Sequence, residues 1–280
     1  MSKKIIISTF TGSLTRLGTP ELVLDALKEA GFSYFDFTMM CPILGFELFY
    51  NSDDYVNKAK QFRKYADSFD MHCNQTHGAV PYFYKDITKE DEDRLFENVK
   101  RTIEISHILG AKYCVLHPAC DCTMEENIKI FNKLKEVAHQ NEITIAIENT
   151  MSEKLFGKPK DFKLLLDALN DSHFKVCLDI GHAEIDKSGS SAVEFIEQLG
   201  KQIVCLHIHD NNKFQDLHQL PFTMCIEFPK IFEALKKSGY SGDITFECGT
   251  YTNNMPVSLF VENLKLLHDI GEYFAKQIFE

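Results

Sequence analysis

Apolar positions along this chain follow two alternating patterns. Short, mostly apolar or β-branched runs recur at Lys4–Ser8 (KIIIS), Ser33–Phe37 (SYFDF), Lys112–Leu116 (KYCVL) and Ile143–Ile147 (ITIAI). Phe174–Leu178 (FKVCL), Gln202–Leu206 (QIVCL) and Asp243–Phe246 (DITF) continue the series. Runs that are apolar on both faces predict parallel strands covered by helices. Asp70–Thr76 (DMHCNQT) fits the same place in the series but is polar, the least strand-like of the set. Between the runs, apolar residues recur at helical spacing. Thr19-Pro20-Glu21 offers an N-cap followed by a first-turn proline, and Gly31 marks the stop. Thr123-Met124-Glu125-Glu126 is a capping-box sequence ahead of Ile128, Phe131, Leu134 and Val137. Thr88–Gly110 and Pro256–Phe279 predict longer helices of the same kind.

Strand and helix alternate eight times without a linker or low-complexity tract. That pattern predicts an α/β fold, a (β/α)8 TIM barrel forming a single domain over residues 1–280. An open doubly wound sheet is the structural alternative, but no GxGxxG follows the first strand. Connection lengths point the same way. Helix-to-strand links such as Gly31–Phe32 and Gly110–Ala111 are short, whereas strand-to-helix links such as Phe37 to Asp53 and His209 to Ile226 are long. Long loops at one end mark the expected working face.

Composition narrows the classes. The chain has 280 residues, 44% apolar and 25% charged, ordinary values for a globular protein. Its nine cysteines form no CxxC pair, and Cys73, Cys114, Cys177, Cys205 and Cys248 sit in or beside apolar runs. Reduced core thiols and a cytoplasmic location are the expectation. MSKKIIISTF reads as a first strand rather than a secretory leader, and no run approaches the ~20 apolar residues of a membrane span. A net charge of −11 with no Lys/Arg block argues against a nucleic-acid partner. A homo-oligomer is the expected assembly, with the C-terminal helix ending IGEYFAKQIFE as its face.

The candidate chemistry sits at the strand ends. The third strand finishes at His77, the fourth at His117, the fifth at Glu148 and the sixth at Asp179 and His182. The seventh finishes at His207, His209 and Asp210, and the eighth at Glu247. In a closed barrel these ends converge on one mouth, where buried histidines and carboxylates are costly unless paired or bound to metal. Their mixture is ligand chemistry for a divalent metal ion (Mn2+, Zn2+ or Co2+). Strand alternation puts His207 and His209 on one face, so spacing alone does not choose between them. Asp216 and His218, in the long loop that follows, are placed to fold back over a metal. His72, His107, His139, His173 and His268 fall away from the mouth and read as ordinary histidines.

At IENT (147–150), LDIGH (178–182), HIHDN (207–211), DLH (216–218) and TFE (245–247) the chain resembles the xylose-isomerase-like TIM-barrel superfamily. That superfamily includes sugar-phosphate isomerases and epimerases, ketose 3-epimerases and the endonuclease IV type of apurinic endonuclease. The resemblance implies metal ligands at Glu148, Asp179, His207 and Glu247, with Asp210 completing the H-x-x-[DE] pattern of His207. It implies a substrate or metal contact at His182 and a substrate contact at Lys213, where the epimerases carry arginine. Through the endonuclease branch it implies further ligands at His77, His117, Asp216 and His218. The chain departs from that branch in its loops: MMCPILGFELFYNS contains no arginine or lysine. It departs from the epimerases at their second glutamate after the fifth strand, where Glu153 is one position off. Aromatics available to stack on a sugar are Phe46, Phe49, Tyr50, Tyr82, Phe83, Tyr84, Phe156 and Tyr251.

The expected function is a metal-dependent isomerase or epimerase of a sugar or sugar phosphate, acting by proton transfer through an enediolate. Glu148 and Glu247 are the expected catalytic pair, one removing the proton and the other returning it to the opposite face. Their strands are three apart, which suggests that they stand well apart around the ring. The alternative is an endonuclease IV-like, zinc-dependent apurinic endonuclease.

Overall fold

The computed structural model describes residues 5–40, 50–80 and 84–280. Its parallel strands are β1 (Ile7–Thr9), β2 (Tyr34–Thr38), β3 (His72–His77), β4 (Tyr113–Leu116), β5 (Thr144–Glu148), β6 (Phe174–Asp179), β7 (Ile203–His207) and β8 (Ile244–Phe246). Each predicted run supplies one of them; Lys4 lies outside the described residues. β2 to β7 pair in sequence order as one sheet, and β1 pairs with β8. Bridges between Phe10 and Asp36 and between Ile208 and Phe246 join the two sheets into a closed ring. The expected barrel is the observed one.

Around it run α1 (Pro20–Glu29), α2 (Tyr55–Ser68), α3 (Lys89–Leu109), α4 (Met124–Gln140), α5 (Pro159–Leu169), the single turn α6 (Ile180–Ala183), α7 (Ala192–Leu199), α8 (Phe228–Ser238) and α9 (Phe260–Phe279). Their ends follow the sequence signals. Thr123 and Glu126 form the reciprocal capping box of α4, and Gly110 closes α3 in the left-handed region at φ 77°. The last helix begins at Phe260, after a short 3-10 turn over Val257–Leu259. It buries Leu264, Leu267, Phe274 and Ile278 against the barrel, while Leu266 and Tyr273 stay exposed. Among the described residues no helix is long and apolar enough to cross a membrane.

Strand parity decides what reaches the barrel axis. On β5, β6 and β7, Ile145, Ile147, Val176, Leu178 and Leu206 join the large core shared with the helices. The alternate residues Ala146, Cys177 and Cys205 form a second buried cluster with Tyr113 and Val115, inside the ring. Two residues further along each strand, the same inward parity delivers Glu148, Asp179 and His207. The polar third strand has its explanation here. Asn74 and Gln75 on β3 are buried and bond across the barrel interior: Asn74 donates to Asp243 (3.1 Å) and Gln75 to Asp36 (2.9 Å), while Thr245 donates to Gln75 (3.1 Å).

Candidate metal centre

Glu148, Asp179, His207 and Glu247 each present one ligand atom within 4.8 Å of the others, and all four are buried. His207 Nδ1 lies 3.3 Å from Glu148 Oε1 and 3.1 Å from Glu247 Oε2. Its other nitrogen, Nε2, is 3.0 Å from the Gln75 amide and 3.4 Å from Asp36 Oδ2. Gln75 and Asp36 therefore fix the imidazole ring and point Nδ1 at the carboxylates, the usual arrangement behind a metal-bound histidine. Neither residue was singled out from the sequence. The available signal was polarity at inward-facing positions of two strands.

The donor set fits a cation. Glu148 Oε1 and Oε2, Asp179 Oδ2, Glu247 Oε2 and His207 Nδ1 are all buried without a hydrogen-bond partner. Three carboxylates so placed repel one another and lack water to solvate them, a cost that a divalent ion removes. Ionisation follows the same logic. Burial pushes the Glu148 carboxyl up, but His207 and His117 outweigh it and hold it well below the carboxylate range. Glu247 is likewise held low against burial, chiefly by His207. Burial disfavours a charged His207, yet Cys177, Glu148 and Glu247 together raise it well above the imidazole range. The mouth is a concentration of negative charge drawing in positive charge.

The further residues converge on the same mouth. His77 Nε2 and His117 Nε2 lie 3.3 and 3.0 Å from Glu148 Oε2. His182, Asp216 and His218 form a second group with His209, again with ligand atoms within 4.8 Å. His209 thus joins a different group from His207, although the two share a strand face. Asp210 is in none of the ligand groups found among the described residues. Its carboxylate accepts the backbone N–H groups of Met224 (2.9 Å) and Ile226 (3.0 Å) and holds the β7–α8 loop.

Above these groups is a cavity of about 380 Å³, lined by Glu148, Glu247, His117, His182, Asp216, His218, Phe10, Met40, Met151 and the polar residues Ser13, Thr150, Thr250 and Asn253. Three expectations change here. Glu148 and Glu247 converge on one point instead of standing across the ring, because inward parity brings both side chains to the axis. Lys213 is not among the lining residues: its N–H donates to Asn211 Oδ1 (2.8 Å) in a tight turn at φ 68°. Among the candidate aromatics, Phe156 is in the core, Tyr50 is buried, Tyr84 is exposed and Tyr251 packs on the core edge. Phe46, Phe49, Tyr82 and Phe83 lie outside the described residues. Glu153 is exposed and does not line the cavity. The remaining histidines are remote, as expected, though His139 and His173 gather around Asp171 at the opposite end of the barrel, with His139 Nε2 2.8 Å from Asp171 Oδ2.

Residues 24–270 match the family model described as the xylose isomerase-like TIM barrel. The chain belongs to this family. Among solved structures, this xylose isomerase-like barrel is similar to the IOLI protein with a bound zinc atom (TM-score 0.79, 15% identity, 99% of this chain and 100% of that one). It is also similar to a D-tagatose 3-epimerase-like protein (TM-score 0.71, 20% identity, 96% and 99%). In sequence it is 26% identical over 162 residues to the uncharacterized protein MJ1311 of Methanocaldococcus jannaschii, covering 54% of this chain and 55% of that protein. The chain spans about half the length of the first curated relatives it matches.

Proposed function

We propose that this xylose isomerase-like barrel is a metal-dependent sugar isomerase or epimerase, with Glu148, Asp179, His207 and Glu247 as the ligands and Glu148 and Glu247 as the proton-transfer pair. The observation that carries it is the buried convergence of three carboxylates and His207 Nδ1, with five unpartnered polar atoms, beneath an open cavity. A divalent cation, which Glu148, Asp179, His207 and Glu247 would hold, would supply the polarisation that acidifies a carbon-bound proton beside a sugar carbonyl. Glu148 and Glu247 are ionised and approach one point from β5 and from the end of β8. A sugar carbon above that point is reached by the two carboxylates from different strands, so one takes the proton and the other returns it. Asp179 and His207 serve as ligands, with Gln75 and Asp36 steering His207. His182 lines the cavity wall, with Nδ1 2.9 Å from Asn149 O and Nε2 3.2 Å from Asp216 Oδ2. The D-tagatose 3-epimerase-like fold neighbour supports the choice of substrate class.

Among the described residues that line the cavity there is no lysine or arginine, the side chains that most often hold a phosphate ester. We therefore favour an unphosphorylated sugar. Conversion of a panel of ketoses and aldoses, with and without their phosphates, by metal-loaded wild type and by Glu148→Gln and Glu247→Gln tests the reading. Loss of conversion in both folded variants is the expected result; full turnover in both would overturn it.

The apurinic-endonuclease alternative draws on the extra donors at the mouth, His77, His117, His182, Asp216 and His218. A lining without lysine or arginine speaks against a phosphodiester backbone there. Nicking of an abasic duplex that depends on those residues would favour it.

A further inference from the structure

At the end of the barrel away from the mouth, two histidines share one carboxylate. His139 stands on the last turn of α4, and Asp171 and His173 lie in the link between α5 and β6. His139 Nε2 is 2.8 Å from Asp171 Oδ2, and His173 Nδ1 is 3.5 Å from Asp171 Oδ1. One ligand atom of each residue lies within 4.8 Å of the others, and the two imidazole rings are 4.0 Å apart. The length of β6, roughly 20 Å at ~3.3 Å per residue, separates His173 from Asp179. The cluster is therefore distinct from both groups at the mouth.

The backbone sets these side chains in place. Asn170 ends α5 in the left-handed region at φ 45° and turns the chain back toward the barrel. Asp171 Oδ1 then accepts the His173 N–H at 2.9 Å, and the His173 carbonyl accepts from Ile145 N at 2.7 Å. Turn, carboxylate and the start of the β5–β6 ladder are thus tied together. His173 Nδ1 is buried and makes no hydrogen bond, a cost that a bound cation would remove. His139, by contrast, is half exposed and leaves the cluster open to solvent on its side. The surroundings favour positive charge, because α4 and α5 both end here and helix C-termini attract cations. Lys135 Nζ already donates to the carbonyl of Leu169, the last residue of α5, at 2.5 Å.

We infer that His139, Asp171 and His173 form a divalent transition-metal site at the end of the barrel opposite the cavity. Two imidazoles and a carboxylate suit zinc, nickel or copper better than magnesium or calcium. Three protein ligands leave the remaining position to water, which reaches it from the His139 side. The ion joins the end of α4 to the start of β6. It acts on the face of the barrel that carries stability and not chemistry. The inference is independent of the proposed reaction and of any metal at the mouth.

The test is zinc loading of the full chain, with diffraction at the zinc absorption edge and elemental analysis after dialysis. Wild type should show an anomalous peak in bonding contact with His139 Nε2, Asp171 and His173 Nδ1, apart from metal at the mouth. His139→Gln, at a half-exposed position, should lose that peak and one zinc per chain while occupancy of the mouth is unchanged. Asp171→Asn keeps an acceptor for the His173 N–H and should lose the same peak and the same zinc. A zinc-loaded mouth with no peak at the cluster would overturn the site. So would equal zinc content in wild type and both folded variants.

Discussion

The two donor groups at the barrel mouth lie side by side and differ in kind. The Glu148–Asp179–His207–Glu247 group is three parts carboxylate and is delivered by strand ends whose inward parity is set by the barrel. The His182–His209–Asp216–His218 group is three parts imidazole, and two of its members come from a loop. Carboxylates preserve proton-accepting capacity beside a metal, and rigid strands hold them to the accuracy that proton transfer needs. Imidazoles around a single carboxylate hold a loop in place, His182 and His218 lying 3.2 and 3.0 Å from Asp216. One group is therefore read as chemistry and the other as construction.

That contrast can be broken most sharply at the carboxylates. Glu148→Gln and Glu247→Gln should each reduce turnover by roughly 10²- to 10⁴-fold with the far-UV spectrum unchanged, the usual weight of a positioned acid or base. His209→Asn should cost far less turnover, through a loosened wall. Equal losses in the two groups would erase the distinction.

Metal removal is the next effect in size. Metal at a hundredfold excess over its Kd stabilises a folded chain by about 2.7 kcal/mol, so chelation should lower Tm by on the order of 5 °C. A scan unchanged by chelator and by added metal would count against either group being a site.

Gln75→Leu removes the amide that faces His207 Nε2 while filling similar volume. It should weaken metal binding at the carboxylate group by roughly 10- to 100-fold, as second-layer partners do, and leave the histidine group unaffected. Cobalt titration of the variant separates the two.

The pH response of metal-free protein is subtler. The His218 pKa is raised to about 9: burial opposes the charge, but Asp216 and Glu247 outweigh it. Its stabilisation is complete below the unfolded-state value near ~6.5 and is lost as pH climbs through about 9. Asp216, Glu148 and Glu247 are held low, so their contribution is present above the ordinary carboxylate range and lost on acidification. Metal-free protein should thus be most stable in mildly acid solution and weaken toward pH 9, whereas metal-loaded protein should gain over the same span as protons stop competing for the imidazoles. Denaturant melts of both forms across that range check the sign.

Much of this was legible before the structure. Apolar runs gave the eight strands, and strand ends gave Glu148, Asp179, His207 and Glu247, because parity within a barrel strand is a local property. Asp36 and Gln75 were passed over since a polar residue inside a strand reads as weak strand propensity until the barrel interior is known to be polar. His209 was lost in a choice between two residues on one face, when the barrel turns both toward carboxylates of the mouth, His207 to Glu247 and His209 to Asp179. Lys213, a substrate contact by resemblance, is not among the cavity's lining residues, since its loop is routed by Asn211 and Asp210 through bonds to Gly181, Met224 and Ile226.

The most direct test of the central claim is solvent exchange. Metal-loaded protein is incubated with each ketose and aldose of the panel in D2O, and the sugar is followed by proton NMR. At least one sugar should lose a single C–H signal next to its carbonyl in wild type, and none should after chelation or in Glu148→Gln and Glu247→Gln. Exchange that survives both substitutions, or a panel silent with fully metal-loaded wild type, would contradict the account.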